Sequence, residues 1–145
     1  MPPSSARARP NVSTTWDEGR FFDRWMIVHA LCGLACGFVN ILFRWPPGRV
    51  LGVTAALLVA WEIGEVAFRV HEALENRVID VMVGLAGTVV ALAILPWVGR
   101  PVGVGLFWGT TLVFLAGDVL GWRAYRLRGR AARRGTRQPT RSPPV

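Results

Sequence analysis

Two glutamates interrupt an otherwise apolar stretch, Val59-Ala60-Trp61-Glu62-Ile63-Gly64-Glu65-Val66. At spacing i, i+3 on a helix, both carboxylates leave on nearly one face. A carboxylate in hydrocarbon costs roughly 2.5–3.5 kcal/mol on insertion scales, so a residue of this kind marks a polar site. Such a pair has the chemistry to hold a proton, a metal cation or the amine of a lipid headgroup. A histidine, His29, and two more acids, Asp80 and Asp118, fall in other apolar stretches of the chain. Imidazole adds a second group able to carry a proton, and a nitrogen ligand.

The elements that must position these residues are four nearly continuous apolar blocks, 25–43, 50–68, 78–97 and 102–122. Blocks of 19 to 21 residues at 1.5 Å per residue span about 28–32 Å, the thickness of a bilayer's hydrocarbon. A soluble domain of 145 residues buries one core and has no need of four such lengths. The predicted fold is therefore all-α: a polytopic membrane protein with four transmembrane helices arranged as two antiparallel hairpins. Trp25, Trp45, Trp97 and Trp122 lie at or just beyond block ends, where amphipathic rings settle. Trp61 and Trp108 lie inside blocks and are assigned to packing. Cys32 and Cys36, one turn apart on one helix, read as small buried thiols without disulfide geometry.

All seventeen basic residues are arginine, and their distribution sets orientation. Fourteen fall before the first block, between the second and third, or after the fourth; only Arg44, Arg49 and Arg100 occupy the other side. The positive-inside rule places both termini in the cytoplasm of a cell with this chain in its inner membrane. The stretches 44–49 and 98–101 are Pro/Gly turns that stop one helix and start the next. Residues 1–12 read as disordered, and 13–24 as an interfacial amphipathic helix with Thr15 and Glu18 as a capping box. The link 70–76 has a short amphipathic pattern. The basic segment 123–145 reads as a largely disordered cytoplasmic tail that touches anionic lipid headgroups rather than nucleic acid.

This orientation brings the polar residues to one leaflet. From the cytoplasmic block ends, His29 lies about 6 Å deep, Glu62 about 9 Å, Glu65 about half that, Asp80 about 3 Å and Asp118 about 6 Å. On the first helix His29, Gly33, Cys36 and Asn40 share a stripe; on the third, Asp80, Gly84, Gly87, Thr88 and Ala91 do. Arg69 is placed to form an ion pair with Glu65. Asp80 reads either as a site residue or as the cap of its helix, and Asp118 either as a site residue or as a boundary residue.

The order His29-xxx-Gly33, then Trp61-Glu62-xx-Glu65, then Arg77-xx-Asp80-xxx-Gly84-xx-Gly87 resembles the VanZ-like family of small bacterial membrane proteins. The resemblance runs over roughly 28–91, and related subfamilies with Trp-Glu-x-x-Glu are nearer in motif. It implies a helical membrane fold and a polar site, and no reaction. Gly84 stands where many VanZ-like sequences have asparagine.

Two functions compete. In the first, Glu62, Glu65, Asp80, His29 and Asp118 form a cytoplasm-facing pocket that binds a cation, a proton or a lipid headgroup in an envelope-related role. That role needs no cofactor, although carboxylates with one histidine also ligate a divalent metal. In the second, the chain is an accessory subunit of a larger membrane complex or a homo-oligomer. Gly33/Gly37 and Gly117/Gly121 would then pack against other helices, with the acids as interhelical contacts. No nucleophile motif or phosphate-cradling loop argues for an enzyme.

Overall fold

A computed structural model of the chain describes residues 24–68 and 74–135. The proposed disordered start, nearly all of the interfacial helix, most of the link at 70–76, and Arg69 lie outside the described residues. Within them the chain is helical, with no strand: α1 Arg24–Phe38, α2 Asn40–Phe43, α3 Pro47–Ala67, α4 Leu74–Ile94 and α5 Arg100–Gly135. A single turn of 3₁₀-helix, Leu95–Trp97, follows α4 at Pro96. Four stretches are long and apolar enough to cross a membrane: Arg24–Phe43, Pro47–Ala67, Leu74–Trp97 and Arg100–Leu127.

The boundaries differ from the apolar blocks in physically readable ways. Pro47 opens α3, where its missing N–H is no loss and its fixed φ suits a first turn. The first span breaks at Val39, just before Asn40, whose side chain clasps the following turn instead of joining a buried stripe. Asn40 Nδ2 donates to the Trp45 carbonyl at 3.1 Å, and the Trp45 N–H donates to Asn40 Oδ1 at 2.7 Å. That clasp holds Arg44 at φ 53°, in the left-handed region. Helix α4 begins at Leu74, ahead of the apolar run, because Glu75, Asn76 and Arg77 are good to fair helix residues with no breaker among them. Helix α5 continues beyond Trp122 to Gly135, so part of the segment expected to be a disordered tail is helical. Its Arg- and Ala-rich sequence favours the helix.

The packing is inside-out for a soluble protein. Large apolar side chains such as Ile63, Phe68, Met82, Leu112 and Val119 are exposed, whereas His29, Thr54, Glu62, Glu65, Asn76, Asp80 and Thr88 are buried. Lipid-facing surfaces have this character. Helix α1 packs on α4, α5 and α3, and its closest approach is to α4.

That approach depends on glycine. A Cβ on Gly33 would land inside the Gly84 carbonyl group, and one on Gly37 would lie 2.8 Å from the Thr88 carbonyl oxygen. Thr88 Oγ1 then donates to the Gly33 carbonyl at 3.0 Å. The pairs 33/84 and 37/88 share one offset in residue number, so α1 and α4 run parallel and in register. Helix α5 runs the other way along α1: Val28 meets Gly117, and the Trp25 ring packs edge-on to Trp122 at 6.4 Å. Cys32 and Cys36 are free and only half-buried, so they are not core thiols.

Candidate functional site

The glycine layer dictates where the polar residues meet. His29 is one turn before Gly33 on α1, and Asp80 one turn before Gly84 on α4. Since the helices are parallel and the glycines touch, His29 and Asp80 must stand at one level. Helix α3 reaches the same layer from the opposite direction. The Leu58 methyl groups lie over Gly84, where a Cβ would come within 2.6 Å of one of them. One turn on from Leu58 is Glu62, which therefore comes down to the level of His29 and Asp80.

The resulting centre has one residue from each of three helices. His29 Nε2 lies 3.2 Å from Glu62 Oε1, and His29 Nδ1 lies 3.7 Å from Asp80 Oδ1. One ligand atom from each residue falls within 4.8 Å of the other two. The relative exposures are 4% for His29, 7% for Glu62 and 1% for Asp80. Asp80 is the seventh residue of α4, too far in to cap it. Helix α4 instead supplies Asn76, whose Nδ2 donates to Asp80 Oδ2 at 3.3 Å.

The hydrogen bonds fix where a proton can be. His29 Nδ1 sits 3.0 Å from the Trp25 carbonyl oxygen, which only accepts, so Nδ1 carries a hydrogen. Nε2 then faces a carboxylate oxygen at 3.2 Å. A bare imidazole nitrogen against a bare carboxylate would set lone pair against lone pair. The contact therefore needs a positive charge at these two atoms: a proton on the pair or another cation. Both Glu62 oxygens are buried, and neither has a hydrogen-bond partner among the described residues; the 3.2 Å approach of Oε1 to Nε2 is an ion-pair distance without hydrogen-bond alignment. A buried polar atom in this condition is costly and points to a ligand.

The remaining expected site residues are placed differently. Glu65 is buried, but its Oε1 accepts from Trp61 Nε1 at 2.9 Å, one turn back on its own helix. Trp61, assigned from sequence to packing, is thus a hydrogen-bond donor to an acid. Asp118 on α5 is not one of the three clustered residues. It borders a groove whose other charged members are Arg123, Arg126 and Arg130. Sequence reasoning missed Asn76, which it placed in an interfacial link; the i, i+4 spacing to Asp80 was the available signal. It also missed the lateral opening of the centre. A groove of about 400 Å³ between α3 and α4 reaches Glu62 from the exposed side, lined by Val59, Ile63, Val78 and Met82 with Arg77 on its wall.

No family model, curated protein or solved structure matches the chain. Fold and centre characterise it instead: four helices able to cross a membrane, three of which bring one histidine and two carboxylates together.

Proposed function

We propose that this is a multi-pass membrane protein that holds a small cation at His29, Glu62 and Asp80. The observation that carries this reading is the 3.2 Å contact between Nε2 and Glu62 Oε1, which is stable only with a positive charge at these two atoms. In its simplest form that charge is a proton. The spans form two antiparallel hairpins in the bacterial inner membrane, with both termini cytoplasmic, as the arginine asymmetry supports. The centre then lies in the cytoplasmic leaflet and serves the envelope. The order of the His-Gly, Trp-Glu and Arg-Asp motifs supports a VanZ-like relationship. The apolar groove beside Glu62 suits access by the lipid phase, and a lipid headgroup amine is a cation of the same class.

A second reading, an accessory subunit of a membrane assembly or a homo-oligomer, draws on α5. Gly105 and Gly109, four residues apart, meet nothing within 4 Å and offer a small-residue face to another helix. The experiment that separates the readings is Glu62→Gln beside Glu65→Gln, scored for folding in mild detergent and for complementation of an envelope phenotype of the deletion. Folded Glu62→Gln protein that no longer complements is expected. Full complementation by folded Glu62→Gln would reject the cation site and leave the assembly role.

A further inference from the structure

Resting on the cation-site reading, we infer that the centre is a seat for one divalent first-row transition metal ion, ligated by His29 Nε2 and by the carboxylates of Glu62 and Asp80. Four observations converge on it.

Zinc–nitrogen and zinc–oxygen bonds of about 2.0–2.1 Å put two tetrahedral ligands about 3.3–3.4 Å apart. His29 Nε2 and Glu62 Oε1 stand 3.2 Å apart. One nitrogen of His29, one oxygen of Glu62 and one of Asp80 lie within 4.8 Å of one another; Asp80 stands 3.7 Å from Nδ1, so its carboxylate has furthest to turn to join Nε2 and Glu62 around one ion.

The outer partners are those that metal ligands use. A ligating histidine gives its other N–H to a carbonyl or carboxylate, which fixes the tautomer and aims the free lone pair. His29 does this through Nδ1 to the Trp25 carbonyl at 3.0 Å. Asn76 holds one oxygen of Asp80 at 3.3 Å, orienting the carboxylate as such partners do.

Charge is the third observation. The centre holds two buried carboxylates, and a divalent ion matches both in charge. Glu62 Oε2, buried and without a hydrogen-bond partner among the described residues, is then satisfied by the ion. Finally, one imidazole with two carboxylates suits zinc, manganese or iron better than magnesium or calcium, which prefer oxygen alone. Three protein ligands leave at least one position open, and the α3/α4 groove ends beside Glu62.

The test uses the full chain purified in mild detergent without chelator. Elemental analysis is expected to find close to one metal ion per chain. After stripping with EDTA, added Zn²⁺ or Mn²⁺ should restore one equivalent of binding by calorimetry. Saturating metal should raise the unfolding temperature by about 5 °C or more. Co²⁺ loading should give visible absorption bands, a readout that needs no variant. Glu62→Gln and Asp80→Asn should weaken binding more than about 100-fold, and Asn76→Ala by about 10-fold. Glu65→Gln should bind as the wild type does. Stripped wild-type protein with no calorimetric, thermal or cobalt response overturns the metal assignment, as does undiminished binding by Glu62→Gln. If metal fails while folded Glu62→Gln still loses complementation, the proton form of the cation site stands and only the metal falls.

Discussion

Replacing Gly33 by alanine adds one methyl group where α1 and α4 have no room for it. The new Cβ would overlap the Gly84 carbonyl, a backbone group that cannot turn aside as a side chain does. The neighbouring contact gives the scale. A Cβ on Gly87 would lie 2.5 Å from the Ala30 carbonyl oxygen, so ordinary contact requires the helices to part by about 0.9 Å. Overpacking of this kind costs about 1–3 kcal/mol, and the overlap at Gly33 belongs at the upper end. Alanine recovers up to about 1 kcal/mol as the better helix former. The net loss is about 2 kcal/mol, roughly a 30-fold shift in the folding equilibrium. The matched control is Gly64→Ala, also within a span, where a Cβ meets nothing within 4 Å; it should be neutral or slightly stabilising. Reversible unfolding in mixed detergent micelles, followed by circular dichroism, reads both. Gly33→Ala as stable as Gly64→Ala would refute the glycine layer and, with it, the register that brings His29 to Asp80.

Three further outcomes follow from individual contacts. Thr88→Val keeps shape but removes the hydrogen bond to the Gly33 carbonyl; in the same unfolding assay it should cost about 0.6–1 kcal/mol. Asn40→Ala opens the clasp on Trp45, losing two hydrogen bonds worth about 1 kcal/mol each, and should show as faster proteolysis at the 44–46 turn. Trp61→Phe removes the donor to Glu65 while keeping the ring, and should lower stability by about 1–2 kcal/mol without weakening complementation.

Four membrane-length helices were legible in the sequence because length and continuous hydrophobicity are local properties. The shared level of His29, Glu62 and Asp80 was legible too, from their distances to the block ends on spans that alternate in direction. Pairing was not. Gly33/Gly37 reads as a small-residue face without naming its partner, and the structure uses it within the chain, against Gly84 and Thr88. The stripe on α4 was drawn correctly, since Asp80, Gly84, Gly87, Thr88 and Ala91 are all buried. That on α1 was not: Cys36 is only half-buried and Asn40 is spent on a turn. Glu62 and Glu65 looked alike from their spacing, yet an indole on the same helix satisfies one, while the other depends on a histidine two helices earlier in the fold. Asn76 was hidden because the apolar run begins after it.

The central claim is that Glu62 and His29 share a positive centre at Nε2, and imidazole nitrogen chemical shifts test it most directly. With ¹⁵N-histidine labelling, and His71→Gln to remove the only other histidine, His29 should show a protonated Nδ1. Its Nε2 resonance should move strongly in Glu62→Gln while Nδ1 stays nearly fixed. An Nε2 signal identical in the wild type and Glu62→Gln would contradict the account.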